Sequence, residues 1–428
     1  MKKLPALIVF LVLFLVIVWV GASYYAGLRA KTDIMQLMDQ PPSQTPLRLT
    51  DLTHTQGLLK SSGQMILHYP DPDATVQPRP DLFRMQVTYV IDHTVMPNTV
   101  FRFDWQAELM DDSAQRMRER FGSNPVLTGQ GDLRWDGQAQ STFEIPAVTG
   151  DYQGERLQMA ALVGNLRVLD KHMDFQARMP ELVTQSGPDR LSIEGISLSM
   201  RLADRFAGVG QTTFGIQKIE FADVQAHGIE LQGNNQIEQD RLNVYVQSTL
   251  DRLQMGNEQI SGMRLDVELT DLDMGSVTAL SSVMNVAGNI DNLTATQQRI
   301  VSQSVRNLIT SGFSVGIPQV QANFPKGSAQ GNARVTLNPM APGTSPESFD
   351  AARQLKAHGQ LQFSGQALSA ELLALGAMFG VLTASDGGYG TRFSLEAGRL
   401  TLNGKSLPIA DDLVLVNTVI RSLLSNEN

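Results

Sequence analysis

The chain of 428 residues contains no cysteine. That absence excludes a disulfide framework, a thiolate nucleophile and a cysteine metal site, so burial of apolar surface has to hold the fold together. Aromatic residues make up only 6% and histidines number six. His54, His68, His93, His172, His227 and His358 are scattered, with no pair at the helical spacing of a zinc site, and no metal ligand is assigned. There is no Gly-x-Ser-x-Gly elbow, no Gly-x-x-x-x-Gly-Lys-Ser/Thr phosphate loop and no dinucleotide fingerprint. Asp104 and Glu108 fall on the polar side of a strand pattern, and Asp271 and Asp273 precede a helix, which suits solvation and capping. No catalytic residue and no cofactor is expected. Positive charge is also short: 34 Lys and Arg against 43 Asp and Glu leave a net charge of −9, which argues against nucleic acid and against attraction to anionic lipid headgroups.

What is present begins with Leu4 to Ala22, an uncharged run preceded by Lys2 and Lys3 and closed by Trp19, Tyr24 and Tyr25. As a helix it covers roughly 28 Å, close to the hydrocarbon thickness of a bilayer. The expectation is a transmembrane anchor over 1–25 with a short cytoplasmic end, and export of everything beyond it. The competing reading is a signal peptide cleaved after Ala22, because Val20-Gly21-Ala22 has the small-residue spacing; the apolar core is longer than the usual ~7–15 residues of such signals. A neck and linker are expected over 26–80, with an amphipathic stretch from Gly27 to Gln40, then Pro41, Pro42 and Pro46, and an irregular stretch between Pro70 and Pro80. Asp71 and Asp73 read there as turn formers rather than calcium ligands.

From Phe83 the period becomes two. Phe83, Met85, Val87, Tyr89 and Ile91 alternate with polar residues, and so do Phe101, Phe103, Trp105, Ala107 and Leu109, predicting a hairpin with one face buried. A charged helix is predicted over Asp111 to Phe121. Strands follow at Ser141 to Ile145, Arg156 to Leu162, Met173 to Met179, Leu191 to Leu202, Phe214 to Phe221, Ile229 to Gln232, Leu242 to Leu250, Met263 to Leu269, Ala333 to Leu337, Leu355 to Phe363, Thr391 to Leu395 and Arg399 to Leu402. Short turns between them imply antiparallel neighbours. The fold class is mainly β with helices (α+β), a long, curved antiparallel meander with covering helices, in two β-rich periplasmic regions, 81–270 and 271–428. Covering helices are predicted over Gly275 to Ala287 and Thr294 to Ser311, and a C-terminal helix from about Asp411. Ser369 to Thr383 reads as a helix apolar almost all round, either buried in its own core or lining a hydrophobic groove through Leu372, Leu375 and Phe379. Leu265 to Met284 and Gln360 to Phe379 share a strand, loop, helix order that hints at an internal repeat.

Three stretches carry a resemblance. Trp19 to Gly27, Leu265-Asp266-Val267-Glu268-Leu269-Thr270-Asp271-Leu272-Asp273, and Gly390-Thr391-Arg392-Phe393-Ser394-Leu395-Glu396 through Lys405 resemble the YdgA-like family, also called DUF945, and His227-Gly228 is similar to its His-Gly step without the proline that often follows. The resemblance implies an inner-membrane-anchored envelope protein of Gram-negative bacteria, of unknown biochemical function. No enzymatic motif defines that family.

The reading of function is a non-catalytic envelope binding or scaffold protein in the inner membrane, single-pass, with its C-terminal region in the periplasm. Its partners would be the membrane through residues 4–22, a lipid or envelope protein, and another copy of itself as a homo-oligomer. Eighteen methionines suit an adaptable surface. The alternatives are a periplasmic hydrolase with a site assembled from dispersed Asp, Glu or His, and a carrier of lipid or another hydrophobic molecule.

Overall fold

The computed structural model describes residues 48–70, 81–93, 96, 98–121, 126–152, 154–287, 293–341, 348–385 and 387–425. The expected anchor, the helical part of the neck and the Pro70 to Pro80 stretch lie outside them. Among the described residues the protein is mainly β and antiparallel, with few helices, and it divides into two compact units, Met1–Pro188 with Leu198–Arg205, and Asp189–Ser197 with Phe206–Asn428. The expected boundary at 270 thus falls inside the second unit.

In the first unit the strands are β1 (Arg48–Gln56), β2 (Lys60–Pro70), β3 (Asp81–Asp92), β4 (Thr99–Leu109), β5 (Leu127–Arg134), β6 (Ala139–Ile145), β7 (Val148–Tyr152), β8 (Glu155–Met159), β9 (Leu162–Leu169) and β10 (His172–Ser186), with α1 (Asp111–Phe121) after β4. Strands β1 to β6 pair in order, β6 pairs with β9, and β10 pairs with β9 along its first half and with β8 along its second. The β7–β8 hairpin is therefore an insertion between two neighbours in the sheet. Residues 48–70, read as neck and linker, form β1 and β2.

One rung of this sheet, Gly63–Tyr89–Trp105–Gly129–Phe143–Gly164, places each residue directly opposite the next. The place a side chain would take at Gly63 is held by Tyr89, at Gly129 by the Trp105 indole and at Gly164 by the Phe143 ring. Glycine usually weakens a strand because nothing packs there; an aromatic ring laid over it recovers the contact. Tyr89 and Ile91 are buried against Leu52, Met65, Phe101, Phe103 and Trp105. Burial pushes the Tyr89 phenol up, and its hydroxyl meets His54 Nδ1 at 3.0 Å.

The second unit takes in the first half of β11 (Asp189–Asp204), then β12 (Val209–Phe221), β13 (Val224–Glu238), β14 (Arg241–Met255) and β15 (Glu258–Asp273). Helices α2 (Met274–Ala287) and α3 (Ala295–Ser311) precede β16 (Phe313–Phe324) and β17 (Gly327–Leu337). Then come α4 (Ala351–Gln354), β18 (Leu355–Gly365), α5 (Ala370–Met378), β19 (Thr383–Ser385), β20 (Gly388–Glu396), β21 (Arg399–Leu402), β22 (Lys405–Leu407) and α6 (Ala410–Ser425). Strands β12 to β18 pair in order, β18 pairs with β20, and β20 carries β19 at one end and β21 at the other. Two-residue turns with positive φ at both positions, Gln239-Asp240, Ala397-Gly398 and Asn403-Gly404, match the twist of the strands they join.

Across the first strands of this unit runs a row of left-handed glycines, Gly195, Gly228 and Gly262, with φ of 65°, 66° and 56°. They sit in Glu194-Gly195-Ile196, His227-Gly228-Ile229 and Ser261-Gly262-Met263, one per hairpin. Gln217, Asp251 and Asn323 of the neighbouring strands occupy the places their side chains would take. The apolar phase slips by one residue at this row: Phe214 and Ile216 give way to Ile219 and Phe221, and Ile229 and Leu231 to Ala226 and Val224. In an unbroken ladder such a slip turns the apolar set to the opposite face. A left-handed residue takes up the odd unit, as at a bulge.

Helices α3 and α6 close one end of the sheet. Ile309, Leu337, Met340, Phe349 and Ala351 form a buried cluster joined by Val305, Phe313, Leu355, Leu413, Val416 and Ile420. α3 is held by a Thr294–Gln297 capping box and stopped by Gly312, and Arg421 donates to the Phe349 carbonyl at 2.7 and 2.9 Å. Ahead of α2, Asp273 Oδ2 accepts from Ser276 N at 2.8 Å and from Ser276 Oγ at 2.6 Å.

Two outcomes follow from these features. Gly228→Ala should destabilise the protein by about 1–3 kcal/mol, the cost of a side chain in a left-handed, occupied position, read in denaturant titrations; an unchanged midpoint would remove the row's structural role. The Ser276 hydrogen bonds hold the Asp273 carboxyl below its ordinary value. Its contribution is therefore present above the unfolded carboxylate range and lost as pH falls through the folded value. Asp273→Ala should cost about 1 kcal/mol at neutral pH, and the gap to wild type should close in acid.

Candidate functional site

Directly paired residues share a face, so the register defines each face of the second sheet. The rung Phe313–Leu337–Leu355 lies under the helical cap. The next rung is Val244–Leu269–Val315–Val335–Ala357–Leu395. Farther along the same face comes Phe214–Leu231–Ser248–Leu265–Val320. These rungs are apolar apart from Ser248, and they hold exposed residues: Val315 is 38% exposed, Val335 45%, Leu231 44% and Leu265 41%. Between Val209 and Asp273 the buried positions are Leu242, Asn243 and Glu268, all close to the capped end. The period-two pattern predicts one buried face; over most of these strands that face is half-exposed instead, because the helices that cover it reach only its first rung.

The opposite face is polar. Glu230–Thr249–Arg264–Gln321–Gln330–Gln362 is one of its rungs. Arg264 binds both oxygens of Asp266 within its own strand. Glu268 is buried, lies over the bare Cα of Gly316 and pairs with Arg334 two strands away. A side chain at 316 would block that reach, so the glycine is what lets the ion pair span β16.

Leu372, Leu375 and Phe379 are brought together on α5 and its C-terminal cap, which is shorter than the predicted Ser369 to Thr383 helix. Ser369 caps its start, and Thr383 already belongs to β19. No residue of α5 is buried: Leu372, Leu375 and Phe379 are 55%, 50% and 71% exposed. Asn403 ties down the far end, donating to the carbonyls of Gly380 and Val381 at 3.0 and 2.9 Å. Apolar side chains all round a helix suit a core in sequence terms, yet this nine-residue helix buries none of them.

In the first unit His68 meets Asp81 at 2.7 Å and Thr50 at 2.8 Å, and His93, just after β3, meets Ser61 at 2.9 Å. His358 lies in a shallow concavity of about 690 Å³ of mixed lining, with Gln360, Gln362, Arg392, Phe393 and Thr401. Among the described residues no group of three or more His, Asp or Glu is placed to hold a metal ion, and no helix is long and apolar enough to cross a membrane.

An exposed α5 makes a definite forecast. Leu375→Glu should shift stability by no more than about 0.5 kcal/mol, as for a surface substitution. Loss of several kcal/mol in thermal or denaturant unfolding would place Leu375 in a core.

No curated protein and no solved structure matches the chain. A family model does, that of a bacterial protein of unknown function (DUF945), over residues 1–371, and the chain belongs to that family.

Proposed function

We propose that the protein is a membrane-anchored periplasmic binding protein that holds the acyl chains of a lipid, or a similarly apolar envelope molecule, on the uncovered face of β13 to β18. The observation that carries this reading is the run of in-register, largely apolar rungs left half-exposed beyond the helical cap. Soluble monomers rarely expose a contiguous apolar patch above a few hundred Å². At about 4.8 Å per strand, β13 to β18 alone span roughly 24 Å. Covering some 200 Å² of such a surface contributes about 5 kcal/mol before the costs of association, so a long chain in contact with several strands is needed for useful affinity. Residues 4–22, uncharged and preceded by Lys2 and Lys3, support tethering to the inner membrane with the sheets on the far side. The lack of catalytic motifs supports binding rather than turnover.

The test is mass spectrometry of lipid copurifying with the full chain extracted gently from membranes. Leu265→Glu and Val335→Glu should reduce bound lipid at least tenfold, while Gln247→Glu on the opposite face retains it, all three with unchanged circular dichroism. Equal lipid in all variants, or none in the wild type, would sink the proposal.

A further inference from the structure

We infer that the polar face of β17, β18 and β20 carries a second site, built for an oligosaccharide and independent of the apolar face. Two concavities adjoin there, of about 690 and 360 Å³, sharing Gln362 and Ser385 in their walls. The floor of the larger one is left bare by Gly390 of β20, opposite Gln362, whereas at Gly388 the place of a side chain is taken by the Phe363 backbone. One wall is fixed by Asn403, whose Oδ1 accepts from Arg392 N at 2.8 Å while its Nδ2 holds the chain after α5.

Apart from Arg392, His358 and Phe393, most side chains in the trough are neutral donors and acceptors, several set in pairs across strands. Gln330 Nε2 donates to Gln362 Oε1 at 3.1 Å, Ser328 and Ser364 hydroxyls meet at 2.7 Å, and Ser394 and Thr401 hydroxyls meet at 2.7 Å. Arg392 donates to Gln360 Oε1 at 3.4 Å. These bonds orient the amides while leaving Nε2 donors of Gln360 and Gln362 for a ligand, since each amide carries two donors as well as its acceptor. Among the described residues no carboxylate lines either concavity.

That chemistry separates ligand classes. A phosphate-rich ligand calls for a cluster of cations, and here Arg392 and His358 are the ionisable groups in the walls. An extended peptide pairs with a free strand edge; β18 is paired on both sides, and the edge strand beside the concavities, β19, has only three residues to offer. An acyl chain finds its surface on the other face. Closely spaced hydroxyls that both donate and accept match rows of amides and hydroxyls recurring about 6.8 Å apart along a strand.

The experiment is saturation-transfer NMR and calorimetry of the full chain in detergent with malto-, cello- and chitotetraose and tetragalacturonate. At least one should bind. Gln362→Ala, at an exposed position, and Gly390→Val, which fills the floor, should each weaken it at least tenfold, while Val335→Glu leaves it unchanged. Binding of the acidic tetramer alone, lost in Arg392→Gln, also supports the site. No binding by any of the four, or binding indifferent to Gln362→Ala and Gly390→Val in folded protein, overturns it; neither result bears on lipid binding.

Discussion

A β-strand offers its side chains alternately to two faces, and a sheet with one apolar face needs a second layer to cover it. In the second unit that cover stops after one rung. Phe313, Leu337 and Leu355 pack under α3 and α6, while Val315 and Val335, one rung on, stay half-exposed. The rest of this unit's design follows from that shortfall. Stability has to come from hydrogen-bonded ladders, lateral packing within a rung and the capped end, and the remaining apolar surface is free for a ligand.

Glycine is the device that makes such sheets workable, in three distinct ways. In the first unit it seats aromatic rings, as Gly129 does for Trp105 and Gly164 for Phe143. In the second, Gly195, Gly228 and Gly262 take left-handed geometry where the apolar phase slips. On the polar face, Gly316 gives Glu268 its path to Arg334, and Gly390 leaves the trough floor bare opposite Gln362. Each position is a missing side chain that a neighbour uses, so a larger residue would cost both the backbone geometry and the neighbour's contact.

Much of the fold was legible because period two is a strong signal where apolar residues are large. Phe83 to Ile91 and Phe101 to Leu109 pair as predicted, and α1 and the C-terminal helix start where their acidic first turns indicate. β1 and β2 escaped because His54, Gln56, Ser61 and Gly63 fill positions that face the same way as Leu52 and Met65. β5 escaped because Gly129 and Gly131 stand where apolar residues would mark the face; the Trp105 and Phe103 rings that fill those places come from β4. The site was less legible for a physical reason. Alternation tells which residues share a face, but whether anything covers that face depends on how far the helices reach. Gln330, Gln362 and Gly390 form a rung only through register. The apolar stretch at Leu372 to Phe379 pointed to a real exposed surface, although the broader apolar surface lies on the strands.

The central claim is that one face of the second sheet meets a lipid and the other does not. Photo-crosslinking in living cells addresses it directly, with a reactive amino acid placed in turn at Val315, Val335 and Leu265, and at the opposite-face positions Gln247, Gln321 and Gln330. The account predicts lipid adducts from the first three positions and none from the last three. Adducts at similar yield from both faces, or only protein adducts from Val315, Val335 and Leu265, would contradict it.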